Sequence, residues 1–437
     1  MTGPEHCLAA GFDYGTSQCS IGIVRDGAVA LLALEGGLPR IASTLYAPRP
    51  HLNLDHRSDQ TLDLTHHSYA ELRFGQAALD AYLADPAEGY FVKSPKSFLG
   101  APGLSQAVRD RFVAVVAAMM ANVRARAETA AGRTIGQVVI GRPVNFQGAG
   151  GEAENRQALE MLVASAHEAG FRDVAFQFEP MAAAIEYEAR LNHEQTVLVV
   201  DIGGGTTDCS FVRVGPERRS RRQRDDDVLG HSGERLGGND YDQALALRSV
   251  MPLFGLGDGL NNGLPFPNGY FVDAVSTNDV NAQQRFYGRA MAERLDLCVR
   301  DGTHAERIRR LRKLQAGRGS YRLLREVELA KIALTGEDQA VVDLAFVESG
   351  LAAACSRADL RRGSARLLEH LAGLIDEACR QAGARPDVVY LTGGMAGSAV
   401  VREHLARVLD DVPRVDSDHF ASVTQGLTLW AQRVFAQ

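Results

Sequence analysis

V-L-V-V-D-I-G-G-G-T-T-D-C-S-F-V-R-V, residues Val197 to Val214, is the stretch that decides the fold. A short apolar run ends in Asp201, three glycines and two threonines follow, and Asp208 opens a second apolar run that returns to Val214. The pattern predicts a β-hairpin with a turn the size of a phosphate. Gly203, Gly204 and Gly205 can take backbone conformations closed to other residues, so consecutive N–H groups can converge on an anion with no Cβ in the way. The hydroxyls of Thr206 and Thr207 are further donors. Asp201 and Asp208 would repel that anion if nothing lay between, which implies a divalent cation with oxygen ligands and retained waters, most naturally Mg²⁺. A lone glycine triplet reads as an ordinary turn; the order D-x-G-G-G-T-x-D favours the anion site.

The chain carries a second copy. Ala10 to Val24 reads A-G-F-D-Y-G-T-S-Q-C-S-I-G-I-V, and its Gly15-Thr16-Ser17-Gln18-Cys19-Ser20 lies against Gly205-Thr206-Thr207-Asp208-Cys209-Ser210. Asp13 precedes Gly15 by two residues, as Asp201 precedes Gly203. A repeat at this distance predicts two similar α/β lobes facing one nucleotide, each lending a hairpin to the phosphates.

At these residues the sequence resembles the actin, hexokinase and heat-shock chaperone superfamily. D-I-G-G-G-T-T-D, L-G-G-N-D-Y-D (Leu236 to Asp242) and F-E-P-M-A-A-A-I-E-Y (Phe178 to Tyr187) are most similar to the nucleotide-binding domain of the seventy-kilodalton heat-shock chaperones. K-S-P-K-S-F-L-G (Lys93 to Gly100) and the short C-terminus look like the YegD branch. The resemblance implies an α/β, two-lobed actin-like ATPase fold, made of duplicated ribonuclease H-like lobes, with ATP or ADP and Mg²⁺ in a central cleft. Lobe I is expected over 1–194 and 412–437, and lobe II over 195–411, with a helical and irregular subdomain at about 237–345.

The resemblance also implies roles. Asp13 and Asp201 hold the Mg²⁺ shell, largely through water, while Gly15, Thr16, Ser17, Gly203, Gly204, Gly205 and Thr206 grip the phosphates. Lys96, with Lys93 as the fallback, stabilises charge at the γ-phosphate, and Glu179 with Asp208 orients the attacking water beside Thr206. Gly237 and Gly238 approach the nucleotide, Glu328, Lys331 and Thr335 hold the ribose and adenine, and Gly393 and Gly394 make the adenosine turn. Pro143 and Arg156 match residues that pass the nucleotide state onward. Two positions depart from the family: Ile332 and Gly397 stand where arginines sandwich the base, so affinity and specificity for adenine are expected to differ.

The residues admit plainer readings. Lysines are usually solvated. Glu179, just ahead of Pro180, is also a helix-start acid favoured by the dipole. Glu328, Lys331 and Thr335, spaced three and four apart, share one helical face and suit ordinary charge pairing. Asp240 suits a helix cap, and a glycine pair between strand and helix, such as Gly393-Gly394, is weak alone.

Composition fits without deciding. At 437 residues the chain has room for about two to four domains. A formal net charge of −7 weighs against a nucleic-acid partner. No apolar stretch is long enough for a bilayer and M-T-G-P-E-H-C is no signal peptide, so a cytoplasmic protein without a membrane partner is expected. Six scattered cysteines without a C-x-x-C pair read as reduced thiols.

Elsewhere, strands are predicted at 28–34, 138–140 and 388–391, and helices over 105–131, 152–169, 181–191, from near Gln243, and over 360–380, 398–409 and 422–435. His51, His56, His66 and His67 read as solvated loop histidines. The basic-then-acidic run Pro216 to Asp227 reads as the solvated tip of a long hairpin, Leu253 to Tyr270 as an irregular connection, and Arg307 to Lys313 as a charged exposed helix face. The functional expectation is an ATP-binding, chaperone-like switch with slow hydrolysis that opens and closes its cleft, read by a client or co-chaperone protein. No leucine-rich acidic linker or β-rich peptide-binding domain is seen before Gln437, so it is expected to lack its own client clamp. A small-molecule kinase and an actin-like filament protein are the rivals.

Overall fold

A strand buried on both faces reads as a continuous apolar run, because successive side chains point to opposite sides of the sheet. Val197 to Val200 and Val388 to Leu391 are such runs, all fully buried or nearly so, and they pair in parallel at the centre of one sheet. The computed structural model describes residues 7–48, 69–86, 89–101, 103–146, 151–221, 223–415 and 421–435. The histidine cluster at 51–67 lies outside them.

In chain order the elements begin with β1 (Leu8–Tyr14), β2 (Gln18–Arg25), β3 (Ala28–Leu31), β4 (Ile41–Ala42), β5 (Thr44–Pro48), β6 (Arg73–Phe74), α1 (Gln76–Ala84), β7 (Gly89–Lys93), α2 (Gln106–Ala131), β8 (Ile135–Arg142), α3 (Glu152–Glu168), β9 (Asp173–Phe178) and α4 (Glu179–Glu188). They continue with β10 (Gln195–Ile202), β11 (Thr207–Val214), β12 (Val228–Glu234), α5 (Gly238–Leu245), α6 (Asn268–Val275), α7 (Val280–Tyr287), α8 (Arg289–Asp301), α9 (Ala305–Ala316) and α10 (Ser320–Ala333). The last are β13 (Gln339–Asp343), β14 (Ala352–Ser356), α11 (Arg357–Gly363), α12 (Ala365–Ala382), β15 (Val388–Thr392), α13 (Ala399–Val408), β16 (Arg414–Val415) and α14 (Ser422–Phe435).

The chain divides into two compact units, one made of Met1–Gly237, Gly373–Ala396 and Asp411–Gln437, the other of Gly238–Ala372 and Gly397–Asp410. The first unit holds two sheets built on one plan. In one the order is β3-β2-β1-β8-β9, with β4 also on β2; in the other it is β12-β11-β10-β15-β16. In each, the strand that carries the key aspartate next to its last residue pairs antiparallel with its hairpin partner on one side and parallel with a later strand on the other. The repeated hairpin in the sequence is therefore a repeated sheet.

Helix α14 packs at backbone distance within this unit, and glycines make that possible. A Cβ on Gly11 would fall 2.1 Å from the Thr428 nitrogen, and one on Gly426 would fall 1.7 Å from the Ala182 carbonyl oxygen. Any side chain there would push α14 off β1 or α4. One apolar core gathers Phe12, Ile21, Met119, Leu162 and Phe171; another gathers Met181, Ile185, Val199, Val212, Tyr390 and Trp430. The second unit is mostly helical with one hairpin, β13–β14. Its arginines pair with acids, as Arg310 does with Glu348 at 2.7 Å and Arg312 with Asp296 at 2.9 Å, while Ile308, Leu311 and Leu314 bury the other side of α9.

Several expected boundaries move for local reasons. β3 stops at Leu31, short of Leu34. α4 stops at Glu188 rather than Leu191, and α5 starts at Gly238, five residues before Gln243, so Asp240 lies in its first turn instead of capping it. The helix expected over 360–380 is two helices: a Ser356–Asp359 capping box starts α11, and buried Ser364, whose Oγ donates to the Leu360 carbonyl at 2.6 Å, separates it from α12. The run 216–227 does join β11 to β12, but it is not a solvated tip. Arg218, Arg224 and Asp227 are buried, because Glu188 and Asp227 supply the countercharges.

Candidate functional site

The two hairpin turns of the first unit meet. A Cβ on Gly204 would fall 1.6 Å from Ser17 Oγ, and one on Gly205 would fall 2.9 Å from Thr16 Cγ2. A Cβ on Gly237 would lie 2.6 Å from the Gly205 nitrogen, so Gly237 closes on the turn as backbone alone. The Gly203 N–H donates to the Thr206 carbonyl at 2.9 Å, which closes the second turn. Thr207 does not add the donor expected of it: it is buried, and its hydroxyl donates to the Leu236 carbonyl at 2.7 Å. Thr206 remains in the turn, partly exposed.

Around these turns lie four carboxyl groups and one ammonium. Asp13 is the next-to-last residue of β1 and Asp201 the next-to-last of β10, Asp208 faces Asp201 across the hairpin, and Glu179 opens α4. Gly393, at φ +84°, follows β15, and a Cβ there would fall 2.5 Å from Asp201 Oδ1; the left-handed conformation and the close approach both require glycine. Lys96 comes from a 3-10 turn over Pro95–Phe98 whose preceding residue, Ser94, is held left-handed at φ 59°. That conformation costs a non-glycine residue about 1–2 kcal/mol. The turn buries Lys96, and its Nζ pairs with Glu179 Oε1.

Electrostatics follow from burial. Burial, with Glu179 adding repulsion, pushes the Asp13 carboxyl up to about 7 and the Asp208 carboxyl up to about 8, while Lys96 pulls both back. Burial raises Asp201 well above the usual carboxylate range, with Glu179, Asp208 and Asp13 all adding to it. Burial alone would lower Lys96, but Glu179, Asp13 and Asp208 outweigh it and hold its ammonium above the ordinary lysine value. Asp208 also accepts the Val144 backbone N–H, which nothing in the sequence signals. Cys19 plays no acidic part: burial pushes its thiol up to about 12, and it lies 3.3 Å from Ser43 Oγ.

Once ionised, four carboxyls against one lysine would leave an excess of negative charge that a divalent cation would balance. Among the described residues no three His, Cys, Asp or Glu side chains converge as a metal cage. Asp13 and Asp201 would suit a cation such as Mg²⁺, which keeps several waters and needs few protein ligands, and which would supply charge neutralisation at a bound phosphate.

In the second unit, Gly238 opens α5, and Lys331 Nζ pairs with Asp242 Oδ1 at 2.8 Å and donates to the Gly238 carbonyl at 2.9 Å. Glu328 accepts from Arg325 at 2.9 Å. Thr335 lies beyond the end of α10 at Ala333, so it does not continue the helical face of Glu328 and Lys331; it approaches Gly397 instead, where a Cβ would be 3.7 Å from Thr335 Cγ2. Ile332 is 56% exposed. In the first unit Asp13, Asp201, Asp208, Glu179 and Lys96 thus gather about the two turns, whereas in the second Lys331 lies against Gly238 and Thr335 leaves the face of Glu328 and Lys331. A separate cavity of about 390 Å³ in the first unit is lined by Arg142, Gln177, Phe178, Arg224 and Trp430, and shares none of these phosphate-site residues.

Comparison with known proteins finds relatives over part of the chain. Residues 109–251 match the Hsp70 protein family. The chain is 32% identical over 250 residues to a chaperone protein HscA homolog of Laribacter hongkongensis, and 31% identical over 244 residues to the chaperone protein HscA of Edwardsiella ictaluri. Each match covers 55% of this chain and 37% of the relative, so the chain spans little more than a third of the length of these curated relatives. Over these stretches the chain is similar to the Hsp70 family, and its mixed α/β fold is consistent with the two-lobed fold of the actin-like ATPases.

Proposed function

We propose that the chain binds ATP or ADP with Mg²⁺ and hydrolyses ATP slowly, as a chaperone-like nucleotide switch. The observation that carries this reading is the meeting of two glycine hairpins beneath a Lys96–Glu179 pair, with Asp13, Asp201 and Asp208 around them. Bound Mg²⁺ supplies charge neutralisation on the phosphates. Gly204 to Thr206 and Gly15 to Ser17 direct backbone N–H and hydroxyl donors at the phosphate oxygens, while Gly203 closes the turn through its own N–H. Lys96 places its ammonium at the γ-phosphate, and Glu179 and Asp208 orient the water that attacks phosphorus and take up its proton, leaving ADP and inorganic phosphate. Positioning and electrostatics carry such a transfer, so turnover is slow until a partner completes the site. Gly237, Gly238, Glu328, Lys331, Thr335, Gly393 and Gly394 are assigned to the adenosine end. A client or co-chaperone protein, lobe boundaries near 194 and 411, and a cytoplasmic setting belong to the same reading; no helix among the described residues is long and apolar enough to cross a membrane.

The test is single-turnover ATP hydrolysis with Mg²⁺ in the native chain and in Asp201→Ala and Lys96→Ala. Slow native hydrolysis lost in both variants supports the reading. Equal phosphate release in all three refutes the assigned roles, and phosphate transfer to a sugar instead of water would favour a kinase.

A further inference from the structure

Helix α4 joins two sets of buried charges. It is ten residues long, about 15 Å at the usual rise. Its first residue, Glu179, holds Lys96; its last, Glu188, is fully buried and receives a forked pair from Arg224, Nη1 to Oε2 at 3.0 Å and Nη2 to Oε1 at 2.9 Å. Glu188 Oε1 also accepts the Gly215 N–H at 3.0 Å, and the Glu188 carbonyl accepts from Arg219 Nη2 at 2.7 Å. Arg224 pairs in turn with Asp227, Asp227 with Arg218, and Arg218 with Glu194 at 2.9 Å. The side chains of Glu188, Arg224 and Asp227 are at most 1% exposed.

Such a network is poor value as stabilisation, because apolar residues of similar volume usually serve as well or better. What it supplies is fixed geometry: the forked guanidinium–carboxylate pair admits one relative placement. The arginines belong to the segment between β11 and β12, and β11 begins with Thr207 and Asp208. One end of α4 is thus tied to the hairpin whose other end carries Asp208, and Glu179 and Asp208 already act on each other electrostatically.

We propose that Glu188 and Arg224 are positioning residues that set α4 along its axis and so place Glu179 against Lys96 and Asp208. The consequence for hydrolysis rests on the function proposed above; the placement of Glu179 does not. Neither residue touches the phosphate turns.

The experiment uses the full chain, Glu188→Gln, and the double variant Glu188→Gln with Arg224→Gln, which removes both charges and leaves no unpaired buried ion if the single variant does not fold. Pulse acetylation with acetic anhydride is read by mass spectrometry. The chain has four lysines, Lys93, Lys96, Lys313 and Lys331, and exposed Lys313 serves as internal reference. In folded variants Lys96 should acetylate about tenfold faster relative to Lys313, and single-turnover hydrolysis should fall about tenfold or more, with ATP affinity within about threefold, since small misplacements act on rate more than on binding. A lower melting temperature alone does not count, because a merely structural role would give it. Unchanged Lys96 labelling overturns the placement whatever the hydrolysis rate, and faster labelling with unchanged hydrolysis overturns the catalytic consequence. If the native chain does not hydrolyse ATP, the functional reading fails, and the labelling still decides the placement.

Discussion

Replacing Lys96 with methionine keeps most of the side-chain volume and removes the only ammonium among four carboxyls. The side chains of Lys96 and Glu179 are 6% and 12% exposed, so little solvent screening discounts their pairing. Removing one partner of a buried pair costs about 3–5 kcal/mol, or roughly 6–20 °C in melting temperature at about 2–4 °C per kcal/mol. The sign of the pH dependence is fixed by the carboxyls. In the metal-free protein Asp13 and Asp208 stand at about 7 and 8, above the ordinary 3.8, so the stability contributed by their neutral forms is full below the ordinary value and lost as pH rises through 7 and 8. Without Lys96 those values rise further. The loss in Lys96→Met should therefore be small near pH 5.5, where carboxyls can protonate, and largest near pH 8.5. Differential scanning calorimetry without nucleotide or metal, at both pH values, measures it. A variant as stable as the native chain at pH 8.5, or one that loses more at pH 5.5, would refute this electrostatic account.

Other outcomes follow from the same geometry. Gly204→Ala should weaken ATP binding about tenfold or more, because a Cβ 1.6 Å from Ser17 Oγ must displace one turn and its phosphate-directed N–H groups; Ser17→Gly in the same chain should recover part of the loss, and an unchanged dissociation constant would contradict the close approach. Binding of Mg²⁺ and ATP should release one proton or more near pH 7 and fewer near pH 9, because the raised carboxyls must ionise to face a cation. Calorimetry in buffers of different ionisation enthalpy reads that number, and proton uptake would reverse the sign argued here.

Much of this was legible in the sequence because it is written in backbone requirements. The glycine triplet and the spacing from Asp13 and Asp201 fixed both hairpins, and the duplicated sheet order agrees with them. Long periodic helices such as α2 and α14 were found to within a residue, because burial of one face imposes a regular pattern. What was missed depends on partners far along the chain. Arg218 and Arg224 look solvated in sequence, and their burial becomes tolerable only with acids brought to them by the fold, Glu194 to Arg218 and Glu188 to Arg224, beside the nearby Asp227. Thr207 looks like Thr206 until Leu236 takes its hydroxyl. The break at Ser364 hides inside an apolar period that runs on through it.

The most direct test of the central claim is calorimetric titration of the native chain and Asp201→Ala with ATP, with and without Mg²⁺. The account predicts binding in the native chain that Mg²⁺ strengthens, and loss of that Mg²⁺-dependent gain in Asp201→Ala. No ATP binding by the folded native chain, or binding indifferent to both Mg²⁺ and Asp201, would contradict it.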